Sequence, residues 1–380
     1  MRNETASPRI LFRHGVRKLS WERQKMAKLT GVAAAALSFA SVFVCAQGAQ
    51  AAPCLDVVLT GTSGPPPYKG LAGPGTLVAY GDEANDCRSV LLQFDVGRGT
   101  LMRLSQLDIE AAQMKAVFFT HMHSDHMEGF SDMVQMYWIF GPAQKTKLDV
   151  VCANDAKTET GVDLSCRKFV AHINDAYELS GETAYRKAEM KGVVDPAGPV
   201  AGLNLITFDP KEEPQVVWSS GDVKVSAIGT AHIPGSVAFR VDTPAGSVAI
   251  GGDSSNRVPA PPRKTSSSDE LEAIAKSADV IVNTAIHPVL SPESGASTPP
   301  PVYYRQSNAT DLGSMAQRAG AKVLMLTHLA PPIGASMQGT VRIQGGPLSA
   351  ADYEKAARDG GFTGQVVVGG DLARVRLPRK

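Results

Sequence analysis

Short apolar, β-prone runs recur along this chain of 380 residues, and their spacing limits the fold more than any other feature. They occupy positions 55–60, 90–94, 117–120, 203–208, 223–228, 237–241, 248–250, 280–282, 323–326 and 366–368, each bounded by Gly, Pro, Asp or Asn as strands usually are. Helical patterns fall between several of them, at 130–140, 269–277, 310–319 and 350–358. The alternation predicts a layered α/β protein and excludes an all-β barrel. Positions 152–202 hold few β-branched runs and a charged, helix-compatible stretch at 175–191, so a helical insertion is expected there. The proline-rich stretches 259–268 and 291–301 read as loops that bury little area. No internal sequence repeat stands out.

The first 51 residues read as an export leader. Scattered Arg and Lys precede an apolar run at 31–46, too short to span a bilayer comfortably, and small residues follow up to Ala51. Met26 offers an alternative start. Neither Cys45 nor Cys54 has the approach expected of a lipidated N-terminus. Residues 52–380 are then one large α/β domain in the periplasm or outside the cell, with no membrane insertion once the leader is cut. Cys54, Cys87, Cys152 and Cys166 remain, an even number suited to an oxidising compartment; proximity favours Cys152 with Cys166 and Cys54 with Cys87.

The sharpest local signal is His121-Met122-His123-Ser124-Asp125-His126, directly after the run at 117–120. A strand ending in a turn aims several side chains at one point. His121, His123, Asp125 and His126 supply two imidazoles for one metal ion and a carboxylate with an imidazole for another. Such donors suit two divalent ions, with zinc the default for hydrolysis and iron or manganese the alternatives. His232, Asp253 and His328 each stand just beyond another apolar run, where an α/β sandwich gathers functional groups distant in sequence. No Gly-rich nucleotide cradle and no G-x-S-x-G elbow is present.

With these residues the chain, from about Leu55 onward, resembles the metallo-β-lactamase-fold hydrolases, whose H-x-H-x-D-H motif stands here unbroken. The resemblance implies a four-layered αβ/βα sandwich. It also implies that His121, His123 and His232 bind one metal, that Asp125, His126 and His328 bind the other, and that Asp253 bridges them. The opening LTGTSGP at 59–65, the segment LLQFDVGRGT at 91–100 and the ending SNATDLGSMAQRAGAKVLMLTHLAPP from 307 resemble the ribonuclease Z and arylsulfatase-like branch. One departure stands at 279–286, where that branch has a His-Glu-Ala-Thr type motif and this chain reads DVIVNTAI. A histidine near the start of the penultimate helix is also replaced, with Asn308 in its neighbourhood.

The expected function is an exported, dinuclear metal-dependent hydrolase of a small ester, with phosphodiester or sulfate ester ahead of lactone or β-lactam. Asp125 and Asp253 would orient the attacking water and share in its proton transfer. His287, Tyr303 and Tyr304 are candidate proton donors to the leaving group. A diiron redox enzyme of the same fold and a non-catalytic metal-binding protein are the competing classes. Eight of the 38 basic and two of the 37 acidic residues precede position 52, leaving 30 against 35, and no long Lys/Arg run follows. That balance disfavours nucleic acid as a partner and leaves a small-molecule ester. A homodimer is a further expectation from the resemblance.

Overall fold

The computed structural model describes residues 51–141 and 146–378. The expected leader, apart from Ala51, lies outside the described residues. In chain order the first half carries β1 (Pro53–Gly61), β2 (Gly75–Asp82), β3 (Val90–Phe94), β4 (Ala116–Phe118), β5 (Leu148–Ala153), the short pair β6 (Ala156–Lys157) and β7 (Asp163–Leu164), and β8 (Leu203–Phe208). Its helices are α1 (Thr100–Gln106), α2 (Phe130–Phe140), α3 (Cys166–His172), α4 (Asp175–Leu179) and α5 (Glu182–Glu189). The second half carries β9 (Gln215–Ser220), β10 (Val223–Gly229), β11 (Val237–Thr243), β12 (Gly246–Ile250), β13 (Val280–Ile286), β14 (Val323–Ala330), the short pair β15 (Met337–Gln338) and β16 (Val341–Arg342), β17 (Gln365–Val368) and β18 (Arg374–Leu377). Its helices are α6 (Asp269–Ile274), α7 (Pro300–Tyr303), α8 (Ala309–Ala319) and α9 (Ala350–Asp359).

Two seven-stranded sheets result, ordered β18-β1-β2-β3-β4-β5-β8 and β9-β10-β11-β12-β13-β14-β17. Each begins with three antiparallel pairings and continues with three parallel ones. The two sheets therefore repeat in topology although no sequence repeat stands out.

The period of two in the strands builds the layers. Val280 and Val282 of β13 enter the core between the sheets, while Ile281 joins the cluster covered by α6, α8 and α9. Phe94 and Phe118 from one sheet meet Phe239 and Trp218 from the other in the same inter-sheet core. Phe118 and Phe119 lie on opposite faces of the sheet, and Phe119 packs against Phe130 of α2 and Phe169 of α3. With each fully buried aromatic side chain stabilising by roughly 1.5–3 kcal/mol, the strand end leading into His121 is anchored on both faces. Helix, sheet, sheet, helix is the four-layered αβ/βα sandwich.

Between β5 and β8 the chain forms the β6–β7 hairpin and the helices α3, α4 and α5. Disulfides join Cys54 to Cys87 and Cys152 to Cys166. Among the described residues no helix is long and apolar enough to cross a membrane.

Candidate metal centre

Past β4, Phe119 N still donates to Val151 O of β5 at 3.1 Å, and Thr120 then leaves the ladder for a side-chain partner, donating from its backbone N to Asp95 Oδ1 at 2.8 Å and from Oγ1 to Asp95 Oδ2 at 2.7 Å. His121 to His126 then form a tight loop closed by a 3₁₀ turn at Ser124–His126. From the other sheet, His232 follows β10 and Asp253 follows β12. His328 was expected beyond its strand, but β14 runs on to Ala330 and contains it, with His328 in the left-handed region at φ 46°. The parallel register of β13 and β14 shifts between Thr284 and Ile286, beside that residue. Such backbone costs about 1–3 kcal/mol and persists where the surroundings enforce it.

The two sheets touch at this edge. Val237 N donates to Thr120 O at 2.9 Å, and a Cβ on Gly252, which has φ +56°, would lie 2.6 Å from Thr120 Oγ1. Only glycine allows that approach.

Seven donors converge in two groups, His121, His123, His232 and Asp253 in one, and Asp125, His126 and His328 in the other. In the first, His123 Nδ1 lies 3.0 Å from His121 Nε2 and 3.1 Å from His232 Nε2. In the second, His328 Nε2 lies 3.1 Å from Asp125 Oδ2, and His126 Nε2 lies 3.7 Å from the same oxygen. Ligands about 2.0–2.1 Å from a tetrahedral ion stand ~3.3 Å apart, so the spacing fits shared metal ions. Asp253 sits between the groups, with Oδ1 3.3 Å from His126 Nε2 and Oδ2 3.5 Å from His232 Nε2 and 3.7 Å from His328 Nε2.

Two observations test whether cations belong there. His126 Nε2 and Asp253 Oδ1 are buried without a hydrogen-bond partner, a costly state that a cation between them relieves. Burial opposes charge on His126, yet the Asp253 and Asp95 carboxylates hold its pKa well above the usual imidazole value; His328 is raised in the same way by Asp253 and Asp125. The carboxylates thus draw positive charge into the cluster. Burial likewise disfavours an ionised Asp253, but the His328 and His126 charges outweigh it and keep the carboxyl well below its ordinary range.

The imidazoles are oriented from behind. His121 Nδ1 lies 3.0 Å from Thr120 Oγ1, whose own proton goes to Asp95, and His126 donates from Nδ1 to Asp95 Oδ2 at 2.8 Å. His232 donates from Nδ1 to the Arg305 carbonyl at 3.2 Å. Each of these three rings therefore presents Nε2 to the centre. His328 packs against Gly64, where a Cβ would stand 2.8 Å from its Cε1. Asp95, Thr120, Gly64 and Arg305 were not among the expected site residues. Asp95 stands immediately after the run at 90–94, so the strand-end rule that found the ligands would also have found it.

His287 is the expected site residue that the structure places elsewhere. Its Nδ1 accepts from Val289 N at 3.2 Å, its ring packs edge-on against Tyr353 of α9 with centroids 5.1 Å apart, and burial lowers its pKa. Tyr303 is buried in the outer helix layer, its hydroxyl pushed up to about 12 by burial, and Tyr304 donates its hydroxyl proton to Glu293.

Comparison with known proteins agrees with this geometry. No family model matches the chain. The Ribonuclease Z of Mycobacterium bovis is 27% identical over 330 residues, covering 86% of this chain and all of that protein. The metallo-β-lactamase-fold protein YhfI of Bacillus subtilis superposes with a TM-score of 0.54 at 18% identity, over 86% of this chain and all of that one. The short form of human tRNase Z gives the same score and identity over 85% of this chain and all of that one. The chain is homologous to these ribonuclease Z proteins and has the metallo-β-lactamase fold. It is accordingly a metal-dependent hydrolase built on a dinuclear ligand set.

This similarity corrects one expectation. Nucleic acid was disfavoured on net charge, yet the curated relatives include proteins named Ribonuclease Z and the solved ones a tRNase Z. The inference failed because net charge averages over the whole surface, whereas phosphate recognition depends on the local field at the site.

Proposed function

We propose that this protein hydrolyses an anionic ester, a phosphodiester ahead of a sulfate ester, and that it does so outside the cytoplasm. The observation that carries the reading is Asp253, a buried, ionised carboxylate set between two groups of metal-ligating side chains. A pair of divalent ions in such a site supplies an activated water at neutral pH and stabilises charge developing on the ester. The chain's own groups do the rest. Asp125 and Asp253 are acceptors only, and each can hold a proton of the attacking water and orient it. Asp95 and the Arg305 carbonyl keep three imidazoles in one tautomer.

Arg305 favours an anionic substrate. It is exposed, and its charge reaches His123, a half-buried ligand: burial lowers the His123 pKa, the aspartates oppose this, and His126 and Arg305 add to the lowering. A positive charge whose field reaches an exposed side of the ligand set attracts phosphoryl or sulfuryl oxygens and does little for a neutral lactone. RNA stands among the phosphodiester candidates because of the ribonuclease relatives. The two disulfides support an oxidising compartment.

The test is one preparation with measured zinc, iron and manganese content, assayed on chromogenic phosphodiester, sulfate, lactone and β-lactam substrates and on a structured RNA. Turnover of a phosphodiester above the neutral esters is expected, with Arg305→Ala lowering it about tenfold or more and leaving neutral esters unchanged. Preference for a neutral ester, or no turnover with both metals bound, overturns the reading.

A further inference from the structure

The β6–β7 hairpin has little to hold it in place by itself. Its strands have two residues each, paired as Ala156–Leu164 and Lys157–Asp163 and continued by Thr158 N to Val162 O at 2.9 Å, and a hairpin of that size is not stable alone in water. What closes it is covalent: Cys152 at the end of β5 is bonded to Cys166 at the start of α3, and both are buried. Ser165 Oγ, which accepts from Lys168 N to cap α3, donates to Asp155, joining the two arms again.

This closed hairpin presses on two ligand loops at once. A cavity of only ≈ 10 Å³, about the room of one water at most, is lined by Cys152, Cys166 and Ala156 on one side and by His121, Met122 and Gly235 on the other. Gly235 has φ +82°, and a Cβ there would lie 3.3 Å from the Ala156 Cβ. It belongs to the turn that leaves His232, closed by Thr230 N to Ser236 O at 2.9 Å and Ile233 N to Ser236 Oγ at 3.1 Å. His121 and His232 are both ligands of the first group. None of Asp125, His126 and His328 lines this cavity; Gly64 backs His328, and Asp95, which accepts from His126, also reaches His121 through Thr120.

We propose that the hairpin closed by Cys152–Cys166 is a brace that positions His121 and His232 and so sets the affinity of the first metal position independently of the second. The brace rests on the dinuclear reading of the site. Cutting the bond lets a segment of few contacts fray, and the loops of His121 and His232 lose the wall that holds their separation. Cys54–Cys87 ties β1 to the turn before β3 and touches neither loop, so it serves as the control.

The experiment compares wild-type protein with the Cys152→Ser/Cys166→Ser and Cys54→Ser/Cys87→Ser double variants. Cobalt is the probe: competition against a chelator reads both dissociation constants, the His328→Ala background reports the first position, and circular dichroism reports folding. The brace variant should weaken the first position about 10–100-fold and leave the second within twofold, while the control changes neither. Leu164→Ala, which loosens the same packing with the disulfide intact, should weaken the first position selectively and decides the matter if the double variant does not fold. Unchanged constants, or equal weakening of both positions, overturns the brace while the dinuclear reading stands. Wild-type protein that takes up fewer than two ions overturns both.

Discussion

His126 donates from Nδ1 to Asp95 Oδ2 at 2.8 Å, with side-chain exposures of 1% and 6%. The same carboxylate accepts both protons offered by Thr120, whose hydroxyl receives His121. One aspartate thus orients a ligand of each metal group. Asp95→Ala should therefore lower the affinity for both ions about 10–100-fold, and Asp95→Asn should fall between it and wild type. Chelator competition checks this; loss confined to one position would mean that Thr120 holds His121 without help from Asp95.

Gly64→Ala tests the packing against His328. The added Cβ would meet the ring at 2.8 Å from Cε1, too close without displacement of the ring or of the 62–64 backbone. Overpacking of this kind costs about 1–3 kcal/mol. The expected outcome is weaker binding at the second position and a lower Tm, read by metal titration and calorimetry on the same sample.

His287→Ala should leave two metals bound, since the ring packs on Tyr353 of α9 and not on the ligands. Rates on a good and a poor leaving group should change by the same factor. Slowing restricted to the poor leaving group, by roughly 100-fold, would instead give His287 the proton-donor role.

Asp279 gives a pH dependence away from the metal site. Burial opposes its charge, and Lys322 Nζ together with the Ser247 N–H outweigh burial and hold the pKa below the ordinary 3.8. A depressed carboxylate adds stability above the unfolded pKa and loses it as pH falls through the lower folded value. Asp279→Asn should cost about 1 kcal/mol at pH 7, a modest figure because Lys322 is exposed to screening. The Tm difference from wild type should shrink as pH drops below 3.8, and a gap independent of pH would show that the charge contributes nothing.

Ten strands and four helices were legible because each is a short apolar run with breakers at its ends, or an amphipathic stretch of helical period, and these are local properties. β1, β3, β8, β10, β11 and α2 fall within a few residues of the runs at 55–60, 90–94, 203–208, 223–228, 237–241 and 130–140. β2, β5 and β9 were missed, since Gly75-Thr-Leu-Val-Ala-Tyr, Leu148-Asp-Val-Val-Cys-Ala and Gln215-Val-Val-Trp are short or interrupted by small and polar residues. β18 was missed for a sharper reason. Its Arg374 and Arg376 read as a basic tail, and only the buried Asp56 of β1, paired with both, makes them part of a sheet.

The site divides along the same line. Sequence alone determined the donor chemistry, because His121-Met-His-Ser-Asp-His can hardly serve anything else and each remaining ligand stands at or near a strand end. Tertiary structure decided how the donors are shared: Asp253 between the groups, Asp95 behind two imidazoles, the Arg305 carbonyl behind a third, and His287 turned to α9. These contacts join residues far apart in the chain, as His328 and Asp125, 203 positions apart, show. No periodicity records them, because which loop meets which is set by the stacking of two sheets that brings strand ends distant in the chain to one edge.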